Sequence, residues 1–242
     1  MLLRSISKHV KEQNWFAVFL DFFIVVAGIL IAFQITNWNE ARANQSRAHD
    51  YLVRLQSDFE NTEIRLTANI QRFDESLSAI TQTRSFLKNR DELTESEEQQ
   101  FLTLLSNIDA QSIPAWRSGT YVEMQSAGVL DLIQKTELKQ SLIQYDQTTE
   151  IAQKGFDVLA TQTAYARPIL TSLIKYGINI GSSQGTDAIN AIAFDFDRMK
   201  RDPEFESVLS GLVLSQSNNR ILQANQLTET RKVLKALSEE LK

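Results

Sequence analysis

An all-α fold is predicted: one N-terminal transmembrane helix, continuing into a long amphipathic helix, plus a soluble helical bundle. Three observations on the 242-residue sequence carry it. Trp15 to Trp38 (WFAVFLDFFIVVAGILIAFQITNW) is almost wholly apolar. No glycine or proline stands between Gly28 and Pro114, a stretch in which apolar residues recur at three-four spacing. Nowhere does an alternating strand pattern of useful length appear; AIAFDFD (Ala191 to Asp197) alternates only briefly within surroundings that read as helix. The expected organisation is a short tail over 1–14, a membrane span over 15–38 and a helical domain over 39–242.

The span comes first. Phe22 to Phe33 contains no polar side chain. At 1.5 Å per residue, Trp15 to Ile35 makes a helix of about 31 Å, close to the hydrocarbon thickness of a bilayer. Trp15 and Trp38 stand at its ends, where amphipathic rings favour the headgroup region. The polar and bulky exit from Gln34 to Asn39 argues for a retained anchor over a cleaved signal. Arg4, Lys8 and Lys11 precede the span and Arg42 and Arg47 follow it. That balance leans to a cytoplasmic N-terminus and a large domain outside the inner (cytoplasmic) membrane. Asp21 interrupts the apolar run, either as an interfacial carboxylate or as a functional intramembrane acid. Ala17, Asp21, Gly28 and Ala32 share one helix face, and Gly28 with Ala32 forms a small-xxx-small pair. This is a candidate packing face for self-association or for a membrane-protein partner, with the lipid bilayer as the other partner.

Beyond the span, Leu52, Leu55, Phe59, Leu66, Ile70, Phe73, Leu77, Ile80 and Leu87 form one stripe, with Thr62 filling a seam position. They predict a long helix over about 46–89 that runs on from the span or restarts near Asn37 to Gln45. Its phenylalanines suit a bundle core better than a two-stranded coiled coil. Thr94 with Glu97 predicts a capping box before the next helix, which carries Phe101, Leu102, Leu104, Leu105 and Ile108. Pro114 and Gly119 break the pattern, and a helix is expected from Tyr121 through Ile133. Thr136 is read as the cap of the following helix, and Pro168 as a kink or a fresh start. Gly177 to Asp187 reads as a loop and Ala188 to Lys200 as a short helix. Asp202-Pro203 then starts the final helix, over about 203–241.

Chemistry is hard to find. The two histidines, His9 and His49, straddle the span, and the chain has no cysteine, so no thiolate metal site or disulfide is available. Asp195 and Asp197 diverge if they lie on a helix, and GSSQG (Gly181 to Gly185) lacks phosphate-loop spacing. No catalytic, cofactor-binding or metal-binding residue is assigned. With a net charge of −5, the chain has no electrostatic footprint for nucleic acid. The segment with most character is Pro114 to Gly128, where Trp116, Arg117, Tyr121 and Glu123 cluster about a helix start. Arg117 could stack on Tyr121 and pair with Glu123 to make a recognition surface; the alternative is a buried corner that locks two helices. The expected role is a non-enzymatic scaffold, interaction or sensor-like module. The alternative is a membrane-tethered hydrolase or lyase using carboxylates within the bundle.

Two blocks resemble a known family. DFFIVVAGILIAFQITNWNE (Asp21 to Glu40) is similar to the N-terminal signature of an uncharacterised family of bacterial single-span membrane proteins, which reads close to GILIAxQINNWNE. TYVEMQSAGVLDLI (Thr120 to Ile133) is similar to that family's TYxxLxxSGxLxLI block, with Met124 and Ala127 in place of the usual Leu and Ser. The resemblance implies an intact anchor, an acidic residue retained at Asp21 and a helical domain. It assigns no activity.

Overall fold

The computed structural model describes residues 15–109, 112–179 and 188–242; the expected tail and most of the expected glycine-rich loop lie outside them, as do the side chains of Ala17 and Asp21. The elements in order are α1 (Trp15–Asn89), α2 (Glu95–Asn107), α3 (Gly119–Ser126), a 3-10 turn (Leu130–Leu132), α4 (Thr136–Thr163), α5 (Ala166–Leu173), β1 (Ile174–Asn179), β2 (Ala188–Phe194), α6 (Phe196–Arg201) and α7 (Pro203–Glu240). The fold is all-α apart from one two-stranded hairpin. Two compact units divide the chain, one up to Asp50 and one from Tyr51 to Lys242.

In the first unit, α1 carries the apolar segment. Its most apolar window has a mean hydropathy of 1.6 and none of it is buried by protein. Among the described residues it is the one helix long and apolar enough to cross a membrane. At its polar end the Arg42 guanidinium lies 5.9 Å from the centre of the Trp38 ring, one turn earlier. No break occurs at Asn37 to Gln45, where a restart had been the alternative.

In the second unit, the buried residues of α1 other than Ala79 fall in two series of sevens. One is apolar: Leu52, Phe59, Leu66, Phe73 and Ile80. The other begins with Leu55 and turns polar: Thr62, Asn69, Ser76 and Thr83. Ile70 and Leu77, expected in the stripe, are only partly buried, and Asn69 and Ser76 take the inner line. α7 runs antiparallel to this part of α1, as Arg231–Glu63 (2.7 Å), Arg220–Asp74 (2.5 Å) and Glu206–Arg84 (2.8 Å) demonstrate. Its buried line is apolar at Phe205, Val208, Leu209 and Leu212, polar at Ser215, Gln216, Asn219, Gln223, Gln226 and Thr230, and apolar again at Val233, Ala236 and Leu237. The bundle therefore has two apolar cores with a polar belt between them.

α4 also runs antiparallel to α7. Gly155 permits the close approach, since a Cβ there would stand 2.6 Å from Leu222 Cδ1. One core is centred on Phe59 and Tyr145, whose rings meet edge-on at 4.7 Å. The other gathers α2, α5, the hairpin and the start of α7 around Phe101.

Four local expectations are corrected. Ala188 to Phe194 is a strand, paired antiparallel with β1, because the β-branched runs on either side of the glycine-rich stretch close a hairpin. Only Phe196 to Arg201 of the expected helix is helical, capped by Asp195. The helix expected through Ile133 stops at Ser126. Gly128, at φ 66°, lets its own N–H reach Gln125 O and that of Val129 reach Met124 O, the double bond of a left-handed helix stop. Thr136 is the first residue of α4 rather than its cap. The cap position is Lys135, and Glu240 accepts the backbone N–H groups of Gln134 and Lys135 (2.7 and 3.1 Å) in place of a local side chain. The other boundaries agree: Thr94 and Glu97 form the capping box, Asp202 caps α7 ahead of Pro203, and the chain restarts as α5 just before Pro168.

Candidate functional site

The chain leaves α2 at Ile108, and residues 112–118, in neither helix nor strand, cross the polar belt. Such a segment inside a bundle exposes peptide groups that no helix satisfies, so side chains must do it. Ser76 Oγ donates to Ile108 O (3.0 Å), Gln223 Nε2 to Ser112 O (2.8 Å) and Asn69 Nδ2 to Ile113 O (3.1 Å). Gln226 is used twice: it accepts from Ala115 N (3.3 Å) and donates to Ala115 O (3.2 Å). The Tyr145 hydroxyl donates to Trp116 O (3.0 Å). Asn69 also donates to Gln223 Oε1 (2.8 Å), so the clamping amides hold one another. Four of the polar positions in the α1 and α7 seams thus have a reason. Asn69 of α1 with Gln223 and Gln226 of α7 grip the backbone of residues 112–115, and Ser76 holds that of Ile108.

With its backbone held, the segment turns Ser112, Pro114 and Ala115 inward and Ile113 and Trp116 outward. Ser112 and Ala115 are buried, whereas Ile113 and Trp116 are 58% and 62% exposed. Ser118 then caps α3 by accepting from Tyr121 N (3.1 Å) and donates to Asp58 Oδ2 (2.7 Å). Asp58 accepts also from Thr120 N (3.2 Å), which places a carboxylate at the N-terminus of α3, where the helix dipole favours it.

The charges pair differently from the sequence reading. Glu123 meets Arg54 through both oxygens and accepts from the Tyr51 hydroxyl (3.1 Å). Arg117 takes both oxygens of Asp146 and reaches Gln125 Oε1 (3.0 Å). No Arg117–Glu123 pair forms, because α3 turns the two residues toward different long helices. The hydrogen bond from Arg54 holds the Glu123 carboxyl below the usual glutamate range and raises the Arg54 guanidinium in turn. Burial pushes both Tyr121 and Tyr145 up.

Of the four predicted corner residues, Tyr121 is buried, Arg117 and Glu123 are engaged in ion pairs, and the Trp116 ring stands out in solvent. Asp58, Asn69, Asp146, Gln223 and Gln226 were not foreseen. One pattern could have exposed part of this set: Thr62, Asn69, Ser76 and Thr83 recur in sevens, in phase with Leu55. On the other candidate face, Gly28 and Ala32 are exposed on α1 and nothing lies within 4 Å of a Cβ built on Gly28. Among the described residues no three His, Cys, Asp or Glu side chains are placed to hold a metal ion.

Residues 21–130 match the model of a family of unknown function (DUF6090), a stretch that includes most of the apolar segment, the clamped segment and α3 but neither α4 nor α7. No curated protein and no solved structure matches the chain.

Proposed function

We propose that this chain is a single-pass, membrane-anchored helical interaction module and not an enzyme. The observation that supports the anchor is an apolar helical window with no protein covering any of it. In water such a surface is costly at roughly 25 cal/mol per Å², and lipid removes that cost. Carbonate washing of membranes tests it: the full chain should stay in the pellet, and a chain lacking residues 15–38 should be released. Release of the full chain would end the reading. The proposed orientation, N-terminus in the cytoplasm and the domain outside the inner membrane, is tested with Ser183→Cys and a membrane-impermeant maleimide. Labelling before inner-membrane lysis supports it; labelling only afterwards reverses it.

The domain works on this reading by presenting Trp116 and Ile113 from a rigid backbone. Large side chains pre-ordered in this way lose little entropy on binding, and Trp is prominent among residues that dominate interfaces. Trp116→Ala should leave urea stability within about 0.5 kcal/mol of wild type, as for an exposed side chain, while site-specific crosslinking at neighbouring positions is lost. Self-association through the Gly28 and Ala32 face should be abolished by leucine at both positions; unchanged crosslinking in membranes would dismiss that face.

A further inference from the structure

Arg65 and Arg72 stand seven residues apart on α1, about 10 Å along its axis. By helical spacing they share the face that carries Asp58, Asn69 and Ser76. Those three side chains bond to Ser118, Ile113 and Ile108, so this face of α1 runs beside the clamped segment. Arg65 is close enough for its charge to act on the Tyr145 hydroxyl, the group that donates to Trp116 O. The two arginines thus edge the surface from which Ile113 and Trp116 project.

Their neighbours along the helix are neutralised and they are not. Arg54 pairs with Glu123 and Arg84 with Glu206. Arg65 and Arg72 are exposed and make no ion pair or side-chain hydrogen bond among the described residues. The nearby acids of α1 are engaged by other groups: Asp58 by α3, Glu63 by Arg231, Asp74 by Arg220 and Glu75 by Gln71. On the opposite rim α4 carries Asp146 and Glu150, answered by Arg117 and Lys154, and then Asp157. Unanswered positive charge therefore lies on the α1 side of the two apolar side chains.

Resting on the interaction role given to this surface above, we infer that its partner is an acidic, amphipathic polypeptide segment. Apolar side chains of that segment pack on Trp116 and Ile113, the first of them a residue type that dominates interfaces. Carboxylates about 10 Å apart meet Arg65 and Arg72, each guanidinium offering the paired N–H donors that suit a carboxylate. The partner lies toward α1 and away from Asp157. An anionic membrane surface fits less well, because a chain of net charge −5 has no overall attraction to one.

Photocrosslinking of the full chain in its native cells tests this, with p-benzoylphenylalanine in place of Ile113 and mass spectrometry of the attached peptide. The expected adduct is a segment of another protein with net negative charge. Arg65→Glu with Arg72→Glu should cut its yield at least about tenfold, while Arg65→Lys with Arg72→Lys keeps most of it. Should the charge reversal lower the melting temperature, Arg65→Gln with Arg72→Gln decides in its place, with a reduced yield expected. An adduct to lipid, to a second copy of this chain, or to a neutral or basic segment would overturn the inference, as would a yield indifferent to these charges. Each of those leaves Trp116 and Ile113 a contact surface; the absence of any adduct removes that reading as well.

Discussion

Gln226 shows how much one side chain can be asked to do. Its amide meets both the N–H and the C=O of Ala115 and also reaches Thr149 Oγ1 (3.2 Å), all away from water. Gln226→Leu keeps the volume and removes every partner, so we expect a loss of about 1–3 kcal/mol per group left unpaired, read from urea denaturation. Glu97 makes the opposite point: its environment is local and therefore legible. Accepting from the Thr94 backbone, and from Arg90, holds its carboxyl down at about 2 against an ordinary 4.5. A carboxyl depressed on folding contributes stability that is fully present above its unfolded value and is lost as the pH falls through the folded one. Acid titration of wild type should therefore show a stability loss between about pH 4.5 and 2 that Glu97→Gln lacks. The capping box could be read from Thr94 and Glu97 because both partners lie within four residues. Asp58, sixty residues from Ser118, left no comparable trace.

Helix ends follow the same division. α3 and α7 start at residues whose side chains reach the next turn, Ser118 and Asp202; Asp202 with Pro203 is a legible start, whereas α3 begins at Gly119, two residues before the expected Tyr121. α4 starts where its own sequence offers no cap, because Glu240 arrives from the far end of α7. Glu240→Ala should cost about 1 kcal/mol, the usual penalty for losing a helix cap, with amide exchange rising first at residues 134–137. Gly128→Ala should cost about 1 kcal/mol or more because alanine resists a positive φ. The hairpin was missed because each strand is short and one contains Gly177; only pairing with the other makes either a strand. Ser106 Oγ, which accepts from Ala191 N (2.9 Å), then ties that pair to α2.

Over the whole molecule, helical content and the apolar segment were legible because they depend on periodicity and composition, which a single sequence carries in full. The clamped segment was not, since its partners are contributed by α1, α4 and α7 and only three-dimensional packing assembles them. The long polar series in α1 and α7 has one more result. A bundle seam of uniform leucine would tolerate α7 sliding by seven residues, since every step would meet the same surface. Here a slide of that size carries Val233 to the Ala115 peptide and separates Arg220 from Asp74. The buried amides therefore act as a notch on a ruler: they make one alignment of the long helices cheap and its neighbours expensive, in a core that could have been greasier and more stable but ambiguous.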